Sequence, residues 1–265
     1  LKQRIITGVL AGVPFLAFLY FGGYWYATLL FVLACIGYDE FMRMCGIAKN
    51  MPLRIIGLAG IFVLVDPWQL QWIADNLPVQ AIIWVIMLLF FVLTVTTKNK
   101  VTVDQVALLF LAVVYIGYGF HYMIATRMPE QGLFWTCLVF ICIWITDSGA
   151  YFTGRAIGKT PLWPAISPKK TVEGALGGVV LSVIAAILFA LAKPELLSVG
   201  RAVSLGIVIA IVGQMGDLIQ SAYKRVKGIK DTGNLLPGHG GVLDRVDSWL
   251  IVFPFVNLLS VLPSM

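Results

Sequence analysis

The sequence predicts an all-α polytopic membrane protein of about nine transmembrane helices, with its N-terminus cytoplasmic. Three observations support this class. Of 265 residues, 60% are apolar and only 12% are charged, about half of the roughly 25% charged residues in an ordinary soluble domain. Uncharged stretches run from Ile5 to Tyr38 and over 76–97, 105–126, 131–146, 174–192, 202–216 and 248–265. A bilayer core takes ~20 apolar residues per helix, so most of these stretches can span or nearly span it. They are unbroken rather than alternating and continue to the end of the sequence, which excludes an outer-membrane barrel and a secretory signal alone.

The first stretch is too long for one helix and carries Phe21-Gly22-Gly23 at its centre, which reads as two helices joined by a tight turn. A third segment, Ile55–Val65, is short, and Asp66, Trp68 and Trp72 follow it. Helices four to nine fall near 78–97, 103–124, 131–150, 171–192, 203–223 and 248–263. Lys and Arg accumulate in cytoplasmic loops, and that rule decides whether the third segment crosses. With nine spans, 16 Lys/Arg fall on one side and Arg127, Lys193 and Arg201 on the other; if the third segment does not cross, the split becomes 8 against 11. Nine spans place the N-terminus and loops 6–7 and 8–9 in the cytoplasm, and the C-terminus outside.

The net charge of +6 is thereby explained by cytoplasmic loops, without a nucleic-acid partner. Cys35, Cys45, Cys137 and Cys142 have no CxxC pairing and read as buried small hydrophobes rather than a disulfide framework or zinc site. No internal repeat is visible, as an inverted-repeat transporter would show. The polar signals crowd into residues 144–248, which divides the chain into an N-terminal scaffold (1–130, helices 1–5) and a site-bearing region (131–265, helices 6–9 with cytoplasmic loops 151–170 and 224–247).

Asp147 near the end of helix six and Asp217 in helix eight follow apolar runs. A carboxylate there is costly unless it is paired or faces a polar cavity, which makes it a functional candidate. Ser221 and Lys224 share a helical face with Asp217, and Arg225 stands beside them. A glycine-rich loop through Lys230, Asp231, Gly238 and Gly241 then leads into helix nine, whose first turn carries Asp244, Arg245, Asp247 and Ser248. Carboxylates without a His or Cys cluster are hard ligands suited to Mg²⁺. Such a metal, with basic side chains, can clamp the oxygens of a phosphoryl displacement. Glycine-rich backbone entering a helix offers N–H groups to phosphate oxygens, and Lys224, Arg225, Lys230 and Arg245 add positive charge. Each feature also has a structural reading: acids at a helix start favour the macrodipole, and basic loops are normal on the cytoplasmic side.

Loop 6–7 carries a second cluster, Asp147-Ser148-Gly149 through Arg155, then Lys159, then Ser167-Pro168-Lys169-Lys170-Thr171-Val172-Glu173-Gly174. Its spacing is not that of a Walker loop. Thr171 and Glu173 also suit the entry to helix seven, with Lys169 and Lys170 as positive-inside anchors.

The run Ser221-x-x-Lys224-Arg225-x4-Lys230-Asp231-x5-Pro237-Gly238-x-x-Gly241-x-Leu243-Asp244-Arg245-Val246-Asp247 resembles the signature of the phosphatidate cytidylyltransferases (CDP-diacylglycerol synthases), and the run at 167–174 also looks like that family. The motifs cover roughly 147–247. The resemblance implies an enzyme that makes CDP-diacylglycerol and pyrophosphate from CTP and phosphatidic acid with Mg²⁺, read as a two-cation site, by attack of the lipid phosphate on the α-phosphorus. By position, Asp217 and Asp244 are the leading metal ligands, with Asp247 and Asp147 next. Lys224, Arg225, Lys230 and Arg245 are candidates for the triphosphate and the leaving pyrophosphate. Ser167, Lys169, Lys170 and Thr171 are candidates for a substrate phosphate or for closing the site, and Ser221, Asp231, Gly238 and Gly241 complete the binding set.

CTP would enter from the cytoplasm while phosphatidic acid presents its head group laterally, which puts a polar active site on the cytoplasmic side of helices six to nine. A bacterial inner-membrane location is expected, since no long hydrophilic segment precedes the first helix. A homodimer is compatible with such an enzyme, although no residue marks an interface. Three rivals are weaker. A CDP-alcohol phosphatidyltransferase signature opens with Asp-Gly, which is lacking before Asp244. A prenol or dolichol kinase would share only the basic loops. An ion-coupled transporter would explain Asp147 and Asp217 but not the glycine-rich loop.

Overall fold

The computed structural model describes residues 2–70, 76–235, 238 and 240–259, with side chains from residue 6 onward. Trp72, Pro237 and positions 260–263 of the expected ninth span lie outside the described residues. Within them are nine helices of 15 residues or more: α1 (Lys2–Phe21), α2 (Gly23–Met44), α3 (Met51–Val65), α4 (Val79–Thr96), α5 (Val103–Arg127), α6 (Gly132–Ile157), α7 (Val172–Ala192), α8 (Val199–Val226) and α9 (Leu243–Leu258). Six of them, α2 and α4 to α8, are long and apolar enough to cross a membrane, while α3 and the 6–21 part of α1 are shorter apolar helices. The chain is therefore an all-α polytopic membrane protein.

Local chemistry sets the helix boundaries. Gly22 adopts φ +66° between α1 and α2, a left-handed conformation that glycine takes without steric cost. Arg127 from the end of α5 closes over this turn, its Nε donating to the Leu19 carbonyl at 2.8 Å. Asn50 caps α3 by accepting from Leu53 N–H at 3.2 Å, and Thr102 with Gln105 forms a reciprocal capping box at α5. Helix α6 runs on to Ile157, seven residues beyond the expected end at 150. Nothing between 151 and 157 breaks it, and Gly158 with Pro161 stops it.

The chain forms two compact units, residues 1–128 with 227–246, and residues 129–226 with 247–265. In the first, α2, α3 and α5 pack together with α1 and α4 at their flanks, around the buried side chains of Tyr26, Tyr38, Leu53, Ile61, Leu109 and Phe120. The glycine-rich segment 227–246 packs in this unit, although the sequence grouped it with helices six to nine.

In the second unit α7 lies against both α6 and α8. The strands β1 (Pro161–Trp163) and β2 (Ser167–Thr171), which the sequence reading did not foresee, pair antiparallel in a hairpin between α6 and α7. Small residues set the helix spacing. A Cβ at Gly178 of α7 would stand 2.8 Å from the Thr146 carbonyl oxygen of α6. One at Gly216 of α8 would stand 2.9 Å from the Asp247 carbonyl oxygen at the start of α9. Without a hydrophobic drive between helices in lipid, close backbone approach and interhelical hydrogen bonds supply the association. Ser182 Oγ accordingly donates to the Gly206 carbonyl at 3.0 Å.

Gly178→Ala should therefore lower the thermal midpoint of the purified protein in detergent by several degrees. Gly12→Ala on α1, where a Cβ meets nothing within 4 Å, should leave it unchanged. Equal midpoints for the two variants would show that the α6–α7 contact does not limit stability.

Candidate functional site

In the second unit, α6, α7, α8 and the hairpin enclose a cavity of about 360 Å³. Asp147 and Arg155 reach it from α6, Lys169, Lys170 and Thr171 from β2, and Gln214 and Asp217 from α8. Six of these seven stand in the two clusters read from sequence, Arg155 without an assigned role; Gln214 stands in neither. Gln214 was passed over because it lies in an apolar run, where its amide donates to the Ala175 and Ala210 carbonyls at 3.4 and 3.1 Å.

Lys170 Nζ lies 2.6 Å from Asp217 Oδ2, and Ser221 Oγ donates to Asp217 Oδ1 at 3.2 Å. The expected face of Asp217 and Ser221 on one helix is thus a real contact, and Lys170 supplies the counter-charge. Asp247, half-buried at the start of α9, has Asp217, Lys224 and Asp147 as its charged neighbours. Its Oδ1 accepts from Ser248 N–H at 2.8 Å. Three carboxylates and two lysines thereby share one polar region at the ends of α6, α8 and α9.

The hairpin that presents Lys169 and Lys170 is tied at both ends. Glu173, in the first turn of α7, accepts from the N–H groups of Lys159 and Thr160 at 3.1 Å and from Thr160 Oγ1 at 2.8 Å. Thr171 Oγ1 accepts from Gly174 N–H at 3.1 Å and so caps α7. At the tip, Arg225 Nε donates to the Ile166 carbonyl at 3.2 Å. Arg225 here braces the hairpin, and Ser167 pairs across it with Trp163.

In the first unit, the segment 227–246 is organised by two buried carboxylates, Glu40 at 4% exposure and Asp244 at 8%. Asp244 Oδ2 accepts from Thr232 N–H at 2.8 Å, Gly241 N–H at 2.9 Å and Thr232 Oγ1 at 3.0 Å. Glu40 accepts from Val242 N–H at 2.8 Å, Leu243 N–H at 3.0 Å and Thr232 Oγ1 at 3.1 Å. This corrects the expectation that the backbone entering helix nine offers its N–H groups to phosphate: at Gly241, Val242 and Leu243 those donors are already bound to the protein's own carboxylates. Lys230, Asp231, Gly238 and Arg245 are exposed, so in this segment side chains remain for an anion to meet.

Sequence reasoning missed Glu40 altogether. The available signal was an acid two residues past the uncharged run that ends at Tyr38, in a chain where buried charge is costly. Nothing in the local sequence tied it to a motif some 200 residues away.

Among the described residues, no three His, Cys, Asp or Glu side chains come together as a cage for a metal ion. Mg²⁺ keeps several waters and takes one or two carboxylates together with substrate phosphates. Asp217 and Asp247, with Asp147 beside them, provide hard oxygen donors of that kind.

Residues 2–262 match the cytidylyltransferase family. The chain belongs to this family. It is 40% identical to a phosphatidate cytidylyltransferase of Bacillus subtilis strain 168, over all of this chain and 99% of the relative. It is 36% identical to the phosphatidate cytidylyltransferase of Staphylococcus haemolyticus and 34% to that of Staphylococcus aureus strain COL, each across 98% of this chain and 99% of the relative. The resemblance read from residues 147–247 thus extends to the whole cytidylyltransferase chain, including helices whose sequence is otherwise bland.

Because Glu173 accounts for the donors that hold the start of the hairpin, Glu173→Ala should speed proteolytic cleavage within 158–166 several-fold while sites elsewhere are cut at wild-type rates. Mass spectrometry of the fragments would read this, and unchanged cleavage would show that the strand pairing alone holds the hairpin.

Proposed function

We propose that this cytidylyltransferase transfers the cytidylyl group of CTP to phosphatidic acid, forming CDP-diacylglycerol and releasing pyrophosphate for phospholipid synthesis. The observation that carries this reading is the charged cavity of the second unit, where Lys169, Lys170 and Thr171 of the family-like 167–174 run meet Asp147 and Asp217, with Lys170 paired to Asp217. Full-length identity to proteins named for this reaction supports it.

In the reaction, a phosphate oxygen of phosphatidic acid attacks the α-phosphorus of CTP, and the bond to the bridging oxygen of the β-phosphate breaks. The nucleophile is already an anion, so no covalent enzyme intermediate is required. The protein's contribution is positioning and charge neutralisation. Asp217, Asp247 and Asp147 would hold Mg²⁺, as a two-cation site in the reading from sequence. When bound, the metal neutralises phosphate charge and polarises the P–O bonds. Lys169 and Lys170 meet a substrate phosphate from the hairpin. On binding, Lys170 exchanges its carboxylate partner for phosphate, which leaves Asp217 to the metal. In this unit Lys224 is the candidate for the triphosphate and Arg225 keeps the hairpin in place; in the first unit Lys230 and Arg245 are the candidates for nucleotide phosphate.

The reading includes nine spans, a cytoplasmic N-terminus and an inner-membrane location, with the polar residues of α6, α8 and α9 facing the cytoplasm. The Lys/Arg asymmetry supports this orientation. It predicts that single cysteines placed at 159 and 194 in a cysteine-free background react from opposite sides of right-side-out and inverted vesicles. Light scattering of the detergent-solubilised protein would test the homodimer.

The deciding assay is turnover of radiolabelled CTP by purified protein with phosphatidic acid and Mg²⁺. A lipid-soluble cytidine product should form with release of pyrophosphate, and chelation with EDTA should abolish it. Asp217→Asn should lower kcat by roughly 10²–10³-fold, the scale on which a group stabilising transition-state charge acts, with the melting temperature retained. A folded wild type that forms no product would overturn the assignment.

A further inference from the structure

Glu40 stands in α2, in the scaffold half, yet all three of its hydrogen bonds above go to residues 232, 242 and 243. Burying a carboxylate is expensive and is repaid only by a full set of donors. Here the donors are the main chain of the segment that carries Lys230 and Arg245. The fit is close: a Cβ at Gly233 would stand 2.7 Å from Glu40 Oε1, and one at Gly241 would collide with the Glu40 carboxylate. Thr232 Oγ1 lies between the two acids, 3.1 Å from Glu40 Oε2 and 3.0 Å from Asp244 Oδ2. A fully satisfied buried network of this kind fixes one conformation where an apolar contact of the same area would tolerate several.

Resting on the activity proposed above, we infer that Glu40 is a positioning residue for the nucleotide: through Thr232, Val242 and Leu243 it fixes the chain next to Lys230 and next to Arg245, so that these two side chains meet the CTP phosphates in a set geometry. Glu40 touches no substrate. Its effect is carried by main-chain bonds to the segment that does, and so it should be felt for CTP and not for the lipid.

The test uses the full-length protein in detergent with both substrates varied. In Glu40→Gln the amide must turn an N–H toward a backbone donor. The KM for CTP should then rise about tenfold, the scale of a lost hydrogen bond to a charged group, while the KM for phosphatidic acid and the melting temperature stay at wild-type values. Gly241→Ala should show the same split, and adding Glu40→Asp should partly restore it by withdrawing the carboxylate from the new methyl group. Amide hydrogen exchange over 240–245 should quicken in Glu40→Gln. An unchanged KM for CTP would overturn the inference, as would both KM values and the melting temperature moving together. If Glu40→Gln does not accumulate, Thr232→Val decides by the same two criteria. If the wild type turns over no CTP, the proposed activity falls; unchanged exchange in Glu40→Gln would then separately overturn the clamp.

Discussion

A carboxylate withdrawn from bulk water has to be given donors or a counter-charge, and both units of this protein are arranged around that requirement. In the first unit Glu40 and Asp244 accept from the N–H groups of Thr232, Gly241, Val242 and Leu243, and the single Thr232 hydroxyl proton lies within reach of both. In the second, Asp217 is met by Lys170 and Ser221. The two solutions differ in kind. Backbone donors are fixed in place and make a rigid mount. A lysine on a flexible stem can leave its partner when a better anion arrives, which suits a group that must meet a phosphate. The chemistry of the donors therefore separates what is built to hold from what is built to exchange.

Those arrangements depend on how closely the helices approach. The backbones of α6 and α7 meet at Gly178, and those of α8 and α9 meet at Gly216. The second contact lies next to Asp217 on one helix and at Asp247 on the other. A larger residue at 216 would push α8 and α9 apart beside Asp217 and Asp247. Packing and site chemistry are thus one constraint here, imposed through the smallest side chain.

The helical architecture was largely legible because a bilayer enforces long uncharged runs, and the glycine turn at Gly22 was legible because the run from Ile5 to Tyr38 is too long for one helix. The hairpin was not. Its strands are three and five residues long and carry prolines and lysines rather than alternating apolar residues. Their stability comes from Glu173 and Arg225, which are remote or on another element. Among the acids, Asp147 and Asp217 were visible through the cost of charge beside apolar sequence. Glu40 obeys the same rule but has its partners some 200 residues away, a pairing that periodicity and spacing do not encode. The glycine-rich loop misled for a physical reason: free N–H groups at a helix start attract any anion, and here the chain supplies its own.

That last point narrows how such a protein can recognise a nucleotide. A phosphate cradle made of backbone N–H groups demands that those donors be unspent. In this protein the donors at the start of α9 hold Glu40 and Asp244, and in the function proposed above contact with the triphosphate passes to side chains. Lysine and arginine contacts are individually adaptable, and adaptable contacts position a reacting phosphorus only if their anchors do not move. If Arg245 meets the nucleotide as proposed, the two buried acids that bind Thr232, Gly241, Val242 and Leu243 supply that anchoring. The rigidity that a phosphate-binding loop usually takes from its ligand would then be built in before the ligand arrives.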